Sequence, residues 1–134
     1  MMGTHCHLIV RAEPDVLSRA MRRLKGWYAH ELNRRRWRTG PVFDSRFDAR
    51  PLATEAHAHA AIVYVAVNPV RAGLERHPDL WLFGSHRAHA CLEPRPDWLA
   101  PVEELGVFRS VGAYRDAVDH EVARIQRIGS DQKV

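Results

Sequence analysis

The sequence predicts an α+β chain with a single modest core. Three observations carry that reading. Residues Thr4–Arg11 (THCHLIVR) alternate and turn apolar after the histidines, as a strand does. Leu17, Ala20, Met21, Leu24, Tyr28 and Leu32 recur at helical spacing. A total of 134 residues leaves room for one core, not two.

In the expected strand, His5 and His7 share one face and Cys6 takes the other, as a small core residue. Glu13, Pro14 and Asp15 break the strand. Asp15 then caps an amphipathic helix over residues 15–33, whose other face carries Arg19, Arg22, Arg23, Gly26 and His30. Arg34–Gly40 (RRRWRTG) reads as a basic loop, and residues 41–52 as extended structure with a turn, closed by Pro51. Thr54 or Glu55 opens a second helix. It runs to Asn68, where Pro69 stops it, because the residue before proline disfavours helical geometry. Ile62–Val67 (IVYVAV) competes with that assignment through its strand propensity.

Residues 69–81 are turn-rich and 84–92 suit a short helix. A Pro-rich connector over 93–101 leads to a last helix over about 110–128 with Ser110 as its cap, and a disordered tail is expected from Gly129.

No stretch approaches the roughly 18 apolar residues of a membrane span, so no membrane partner is expected. Two cysteines cannot build a disulfide framework or a four-cysteine zinc site, which points to a reducing, cytoplasmic setting. The net charge of +4 is unevenly placed. Between Arg19 and Arg50 ten basic residues face three acidic ones, whereas from Glu75 onward eight basic residues face ten acidic ones. Such a patch fits a nucleic acid, and it also fits a solvated arginine-rich face.

Two groups of residues carry candidate chemistry. His5 and His7 on one strand face can ligate a divalent ion. With nine histidines in the chain, a His-x-His pair also arises by chance, as His57 and His59 illustrate. Tyr64 and Asn68 are spaced i, i+4 and share a helix face, offering a phenol nucleophile beside a carboxamide ligand. Taken alone, a half-buried tyrosine and a helix-terminal asparagine fit those two residues better.

The segments THCHLIV, MRRLKGWYAHELNRR, RTGPVFDSRFDARPL, AIVYVAVNPVRAGL and DLWLFGSHRAH follow one another in an order that resembles the single-tyrosine HUH transposases. The nearest branch is the REP-associated tyrosine transposases. The resemblance covers residues 1–90, and NPVRAG after an upstream tyrosine is its most specific element. It implies a ferredoxin-like transposase fold over 1–92, followed by a helical C-terminal extension and tail over 93–134. Family members carry a strand, a helix and a strand ahead of the HUH strand. The resemblance therefore implies a chain lacking that N-terminal part.

It also implies a site: His5, His7 and Asn68 binding Mg2+ or Mn2+, and Tyr64 attacking DNA to leave a 5′-phosphotyrosine and a free 3′-hydroxyl. The implied enzyme is a metal-dependent DNA transposase or nickase that cleaves and rejoins single-stranded or hairpin DNA, as a monomer or homodimer. The alternative is an inactive, DNA-binding remnant. On either reading Arg22, Arg23, Arg34, Arg35, Arg36 and Arg38, with Arg46 and Arg50, are available to phosphates, and Trp37 to an unpaired base.

Overall fold

The computed structural model describes residues 5–131, with side chains as far as Gly129. Four α-helices appear in the order α1 (Pro14–Arg36), α2 (Glu55–Arg71), α3 (His86–His89) and α4 (Val111–Asp131). Single 3-10 turns lie at Pro78–Leu80 and Val102–Leu105. The chain divides into two compact units, one formed by Val10–Pro51 and the other by Met1–Ile9 with Leu52–Val134. None of the described helices is long and apolar enough to cross a membrane.

The α+β, ferredoxin-like expectation is overturned: the described residues contain helices and no strand. The physical reason lies in pairing. A strand satisfies its N–H and C=O groups only through a neighbouring strand. Residues 5–11 alternate as a strand would, yet they run as irregular chain, with Leu8, Ile9 and Val10 exposed. Cys6, expected in a core, is exposed as well. Residues 41–52 likewise form bends and coil.

The strand-prone IVYVAV is drawn into α2. Thr54 accepts a hydrogen bond from the His57 N–H at 3.1 Å and fixes the helix start. Once helical, Ile62, Val63, Ala66, Val67 and Val70 fall on one stripe and are all buried. That burial outweighs the local preference of β-branched residues, since fully burying a valine is worth about 1.5–3 kcal/mol.

Pro69 does not stop α2; it is buried inside the last turn, and the helix continues to Arg71. Near a C-terminus proline forfeits one hydrogen bond rather than a run of them. The end is set by a Schellman motif. The Gly73 N–H donates to the Val70 carbonyl at 3.0 Å, and the Leu74 N–H to the Pro69 carbonyl at 2.9 Å. Gly73 has φ +67°, the left-handed conformation this motif demands and glycine adopts without a Cβ penalty. The sequence VRAGL is thus a helix terminator.

α4 presents Tyr114, Val118 and Val122 at i, i+4, i+8, packed against the α2 stripe together with Ala90, Val102 and Phe108. Ser110 caps the helix by accepting the Ala113 N–H at 3.1 Å. The helix runs to Asp131, past the expected start of a disordered tail at Gly129; the rest of that tail, 132–134, lies outside the described residues.

A polar cluster braces the same core. His86 is buried on α3, with Nε2 2.8 Å from Asp79 Oδ1 and Nδ1 2.8 Å from the Tyr114 hydroxyl. Carboxylate oxygen only accepts, so Nε2 carries the proton and Nδ1 accepts from Tyr114.

In the Val10–Pro51 unit, Pro14 at the first turn starts α1, and Glu13 makes no side-chain cap. Asp15 sits inside the first turn instead of capping it. Arg34, Arg35 and Arg36 form the helix's last turn rather than a loop, where positive charge complements the helix dipole. Trp37 ends the helix at φ 49°, which for a residue with a Cβ costs roughly 1–2 kcal/mol. The chain then folds back. Asn33 Nδ2 donates to the Gly40 carbonyl at 2.9 Å, and Lys25 Nζ donates to the Ser45 carbonyl at 2.6 Å while standing 4.6 Å from the centre of the Phe43 ring.

Candidate functional site

α2 sets the frame of the site. Its buried stripe turns Tyr64 outward, and that side chain keeps 43% of its surface exposed. Asn68 follows one turn later, half-buried, and Arg71 lies two turns after Tyr64, held in place by the terminator that ends the helix. Although residues 5–9 form no strand, they belong to the same unit as α2. The His7 ring stands 5.6 Å from the Tyr64 ring, edge-on at 76°, and the His5 ring stands 5.2 Å from His7 at 80°.

Partial burial, together with His5, lowers the His7 pKa from its ordinary value. The imidazole is therefore neutral near pH 7, the form that ligates a metal. Two imidazoles at neighbouring positions of one octahedral ion have ring centres roughly 5 Å apart. The His5–His7 spacing fits that arrangement. Among the described residues no three of His, Cys, Asp and Glu converge on one point. The resemblance assigns the third ligand to the Asn68 carboxamide, a neutral oxygen. Imidazole with neutral oxygen suits Mn2+ better than Mg2+.

Four residues that the sequence reading did not single out, Arg71, Glu121, Arg124 and His120, complete the surroundings. The Arg71 guanidinium lies 5.4 Å from the centre of the Tyr64 ring. Its Nη2 donates to Oε1 of Glu121 on α4. Glu121 also takes both prongs of Arg124 at 2.7 Å, and the hydrogen bonds from Arg124 and then Arg71 bring its pKa down to about 2. A groove of about 650 Å³ runs between α2 and α4, lined by His57, His59, Tyr64, Arg71, His120 and Glu121 among others. Arg71 was readable from its spacing to Tyr64. Glu121 and His120 were not, because nothing local ties α4 to α2.

The other tyrosines sit differently. Tyr28, expected on the apolar stripe of α1, lies 5.8 Å from Phe43 in the other unit. Tyr114 is 1% exposed and hydrogen-bonded to His86, and burial raises its phenol pKa well above the ordinary range. It cannot reach a substrate. The His59 ring packs 4.6 Å from the Phe108 ring, tilted by 36°.

The arginines expected at DNA are gathered in the Val10–Pro51 unit with unequal freedom. Glu31 holds Arg34 in a two-pronged bond at 2.7 and 2.9 Å and Arg35 at 2.5 Å. Arg38 donates to the Pro41 carbonyl at 3.0 Å, and Arg50 pairs with Asp48 at 3.3 Å. Arg22, Arg23, Arg36 and Arg46 are exposed, and Trp37 is 97% exposed.

Comparison of the chain with family models, curated proteins and solved structures finds no match among any of them. The functional reading therefore stands on these residues and their geometry.

Proposed function

We propose that Tyr64 is the nucleophile of a metal-dependent reaction that cuts and rejoins single-stranded or hairpin DNA. The observation that carries the reading is the meeting of His7 with an exposed Tyr64, with His5 beside it. A pair of imidazoles beside a phenol, drawn from distant parts of the chain, supports a ligand pair next to a nucleophile.

The Tyr64 phenol attacks the phosphorus of a backbone phosphodiester. Its oxygen–phosphorus bond forms as the bond to the 3′-oxygen breaks. The phenol proton is lost to solvent and the leaving 3′-oxygen takes a proton from water. The 5′-phosphate stays on Tyr64, so the phosphodiester energy is retained and attack by a 3′-hydroxyl restores both DNA and phenol. His5 and His7, with Asn68, hold the divalent ion, which when bound polarises the phosphate and offsets charge developing on it. Exposure of Tyr64 lets a strand approach without unfolding α2.

A second reading has its own support. The arginine-rich end of α1 and the exposed Trp37 belong to a compact unit separate from Tyr64, so they can hold DNA without cleavage.

One experiment separates the two. The protein is incubated with Mn2+ and a panel of single-stranded and hairpin oligonucleotides labelled 3′ of the cleavage point, then run on a denaturing gel. Label retained on the protein and lost in Tyr64→Phe supports the cleavage reading. Salt-sensitive binding without any retained label supports the second.

A further inference from the structure

Arg71 is placed with more care than a surface arginine needs. The Schellman motif fixes the last turn of α2, which sets Arg71 on the Tyr64 side of the helix. Its side chain is 37% exposed, neither sealed in the core nor free in water. It is pinned from α4, an element distant in sequence, by Glu121.

The charge balance around that carboxylate leaves an excess. Glu121 serves two guanidinium groups, Arg71 and Arg124, with a single negative charge. One positive charge remains, beside a groove of about 650 Å³, large enough for a nucleotide unit. Among the described residues Arg71 gives one N–H of Nη2 to Glu121, so the second N–H of Nη2, paired with the adjacent Nε–H or Nη1–H, offers a fork to an incoming acceptor. A guanidinium fork matches two oxygens of one phosphate, and Arg71 stands within a ring's width of the Tyr64 phenol. A phosphodiester engaged by Arg71 therefore lies against the nucleophile.

We propose that Arg71 binds the DNA phosphodiester attacked by Tyr64, and that Glu121 is the positioning residue that holds its fork toward the groove. The assignment rests on the Tyr64 reading, and it extends the site onto α4. The three imidazoles lining the groove, His57, His59 and His120, leave its walls free of further fixed negative charge.

The test uses two measurements on the full chain. The first follows the Arg71 Nε–H resonance, identified by its loss in Arg71→Lys, while oligothymidylate is titrated into the non-cleaving Tyr64→Phe protein. The resonance is expected to move with DNA, and in Glu121→Gln to require about tenfold more DNA for the same movement, equivalent to about 1.4 kcal/mol. The second is the rate of adduct formation at saturating DNA. Arg71→Lys keeps the charge and loses the fork, and is expected to slow the rate by at least about tenfold; circular dichroism verifies that the variant is folded.

If the parent forms the adduct while the resonance stays still and Arg71→Lys keeps the parental rate, this inference is overturned and the Tyr64 reading stands. If the parent forms no adduct, that reading fails, and the resonance alone decides. Movement weakened by Glu121→Gln then supports phosphate binding by Arg71, and a resonance indifferent to DNA overturns it.

Discussion

The His7 imidazole meets the Tyr64 ring edge-on at 5.6 Å, joining the start of the chain to the middle of α2. Behind His7 stands His5 at 5.2 Å, so a candidate ligand pair is already formed beside the candidate nucleophile. This relationship does not depend on the strand that the sequence suggested. Irregular chain delivers both rings to α2.

Calorimetric titration with Mn2+ should therefore reveal one site, weakened at least about tenfold by His7→Ala, or roughly 1.4 kcal/mol. Burial and then His5 lower the His7 pKa from 6.5, so its lone pair remains available on the acid side of that value. The His7 contribution to binding should persist as pH falls through 6.5 and fade only below it. Equal affinity in His7→Ala would remove the metal from this position.

The Asp79–His86–Tyr114 chain makes a separate claim on stability. Burial lowers the His86 pKa, and this outweighs the hydrogen bond to Asp79, which raises it; burial also lowers that of His89. The unfolded chain then takes up protons first as pH drops. The stability these groups supply is complete above about 6.5 and is lost as pH falls from there toward their folded values. Asp79 titrates in a lower window. Burial pushes its pKa up, but the His86 hydrogen bond and the charges of His77, His86 and Arg115 bring it below 3.8, so its share is lost as pH falls below that value. Urea midpoints measured between pH 8 and 5 should decline on the acid side. Tyr114→Phe deletes the donor to Nδ1 and should cost about 1–3 kcal/mol. It should also make His86 easier to protonate in the folded protein, bringing its pKa back toward 6.5 and so shrinking the acid decline. A midpoint that is flat with pH in the parent would mean that His86 is not held neutral.

Local signals made much of this architecture legible. Thr54 and Ser110 are side-chain caps that a reader can recognise, and VRAGL carries its own stop. Tyr64 and Asn68 share a face as soon as α2 is helical. The strand was misread because alternation in THCHLIV reports only that one face is apolar; whether a partner exists to take its hydrogen bonds is a non-local fact. The loop assigned to Arg34–Arg36 failed for a different reason. Three arginines have good helix propensity and suit a C-terminal turn, and Trp37, not a glycine, adopts the left-handed cap that ends it. Glu121 was invisible because its only bearing on the site comes from the packing of α4 on α2.

Glu31 offers the last prediction, since it decides how much of the arginine cluster is open to DNA. One carboxylate holds both Arg34 and Arg35, and the hydrogen bonds of Arg34 and then Arg35 bring the Glu31 pKa down to about 2. It therefore stays ionised throughout the neutral range and competes with phosphate for these two guanidinium groups. Glu31→Gln removes the charge and keeps the size of the side chain. If the end of α1 contacts DNA, this variant should bind an oligonucleotide more tightly and with a steeper dependence on salt. Each further phosphate neutralised on a single strand adds about 0.7 to the slope of log K against log salt. Changing Arg34, Arg35 and Arg36 together to Ala should flatten the slope instead. Anisotropy titrations across a range of salt concentrations measure both. Parallel slopes in the parent, Glu31→Gln and the triple variant would make this helix end a solvated surface and place DNA elsewhere.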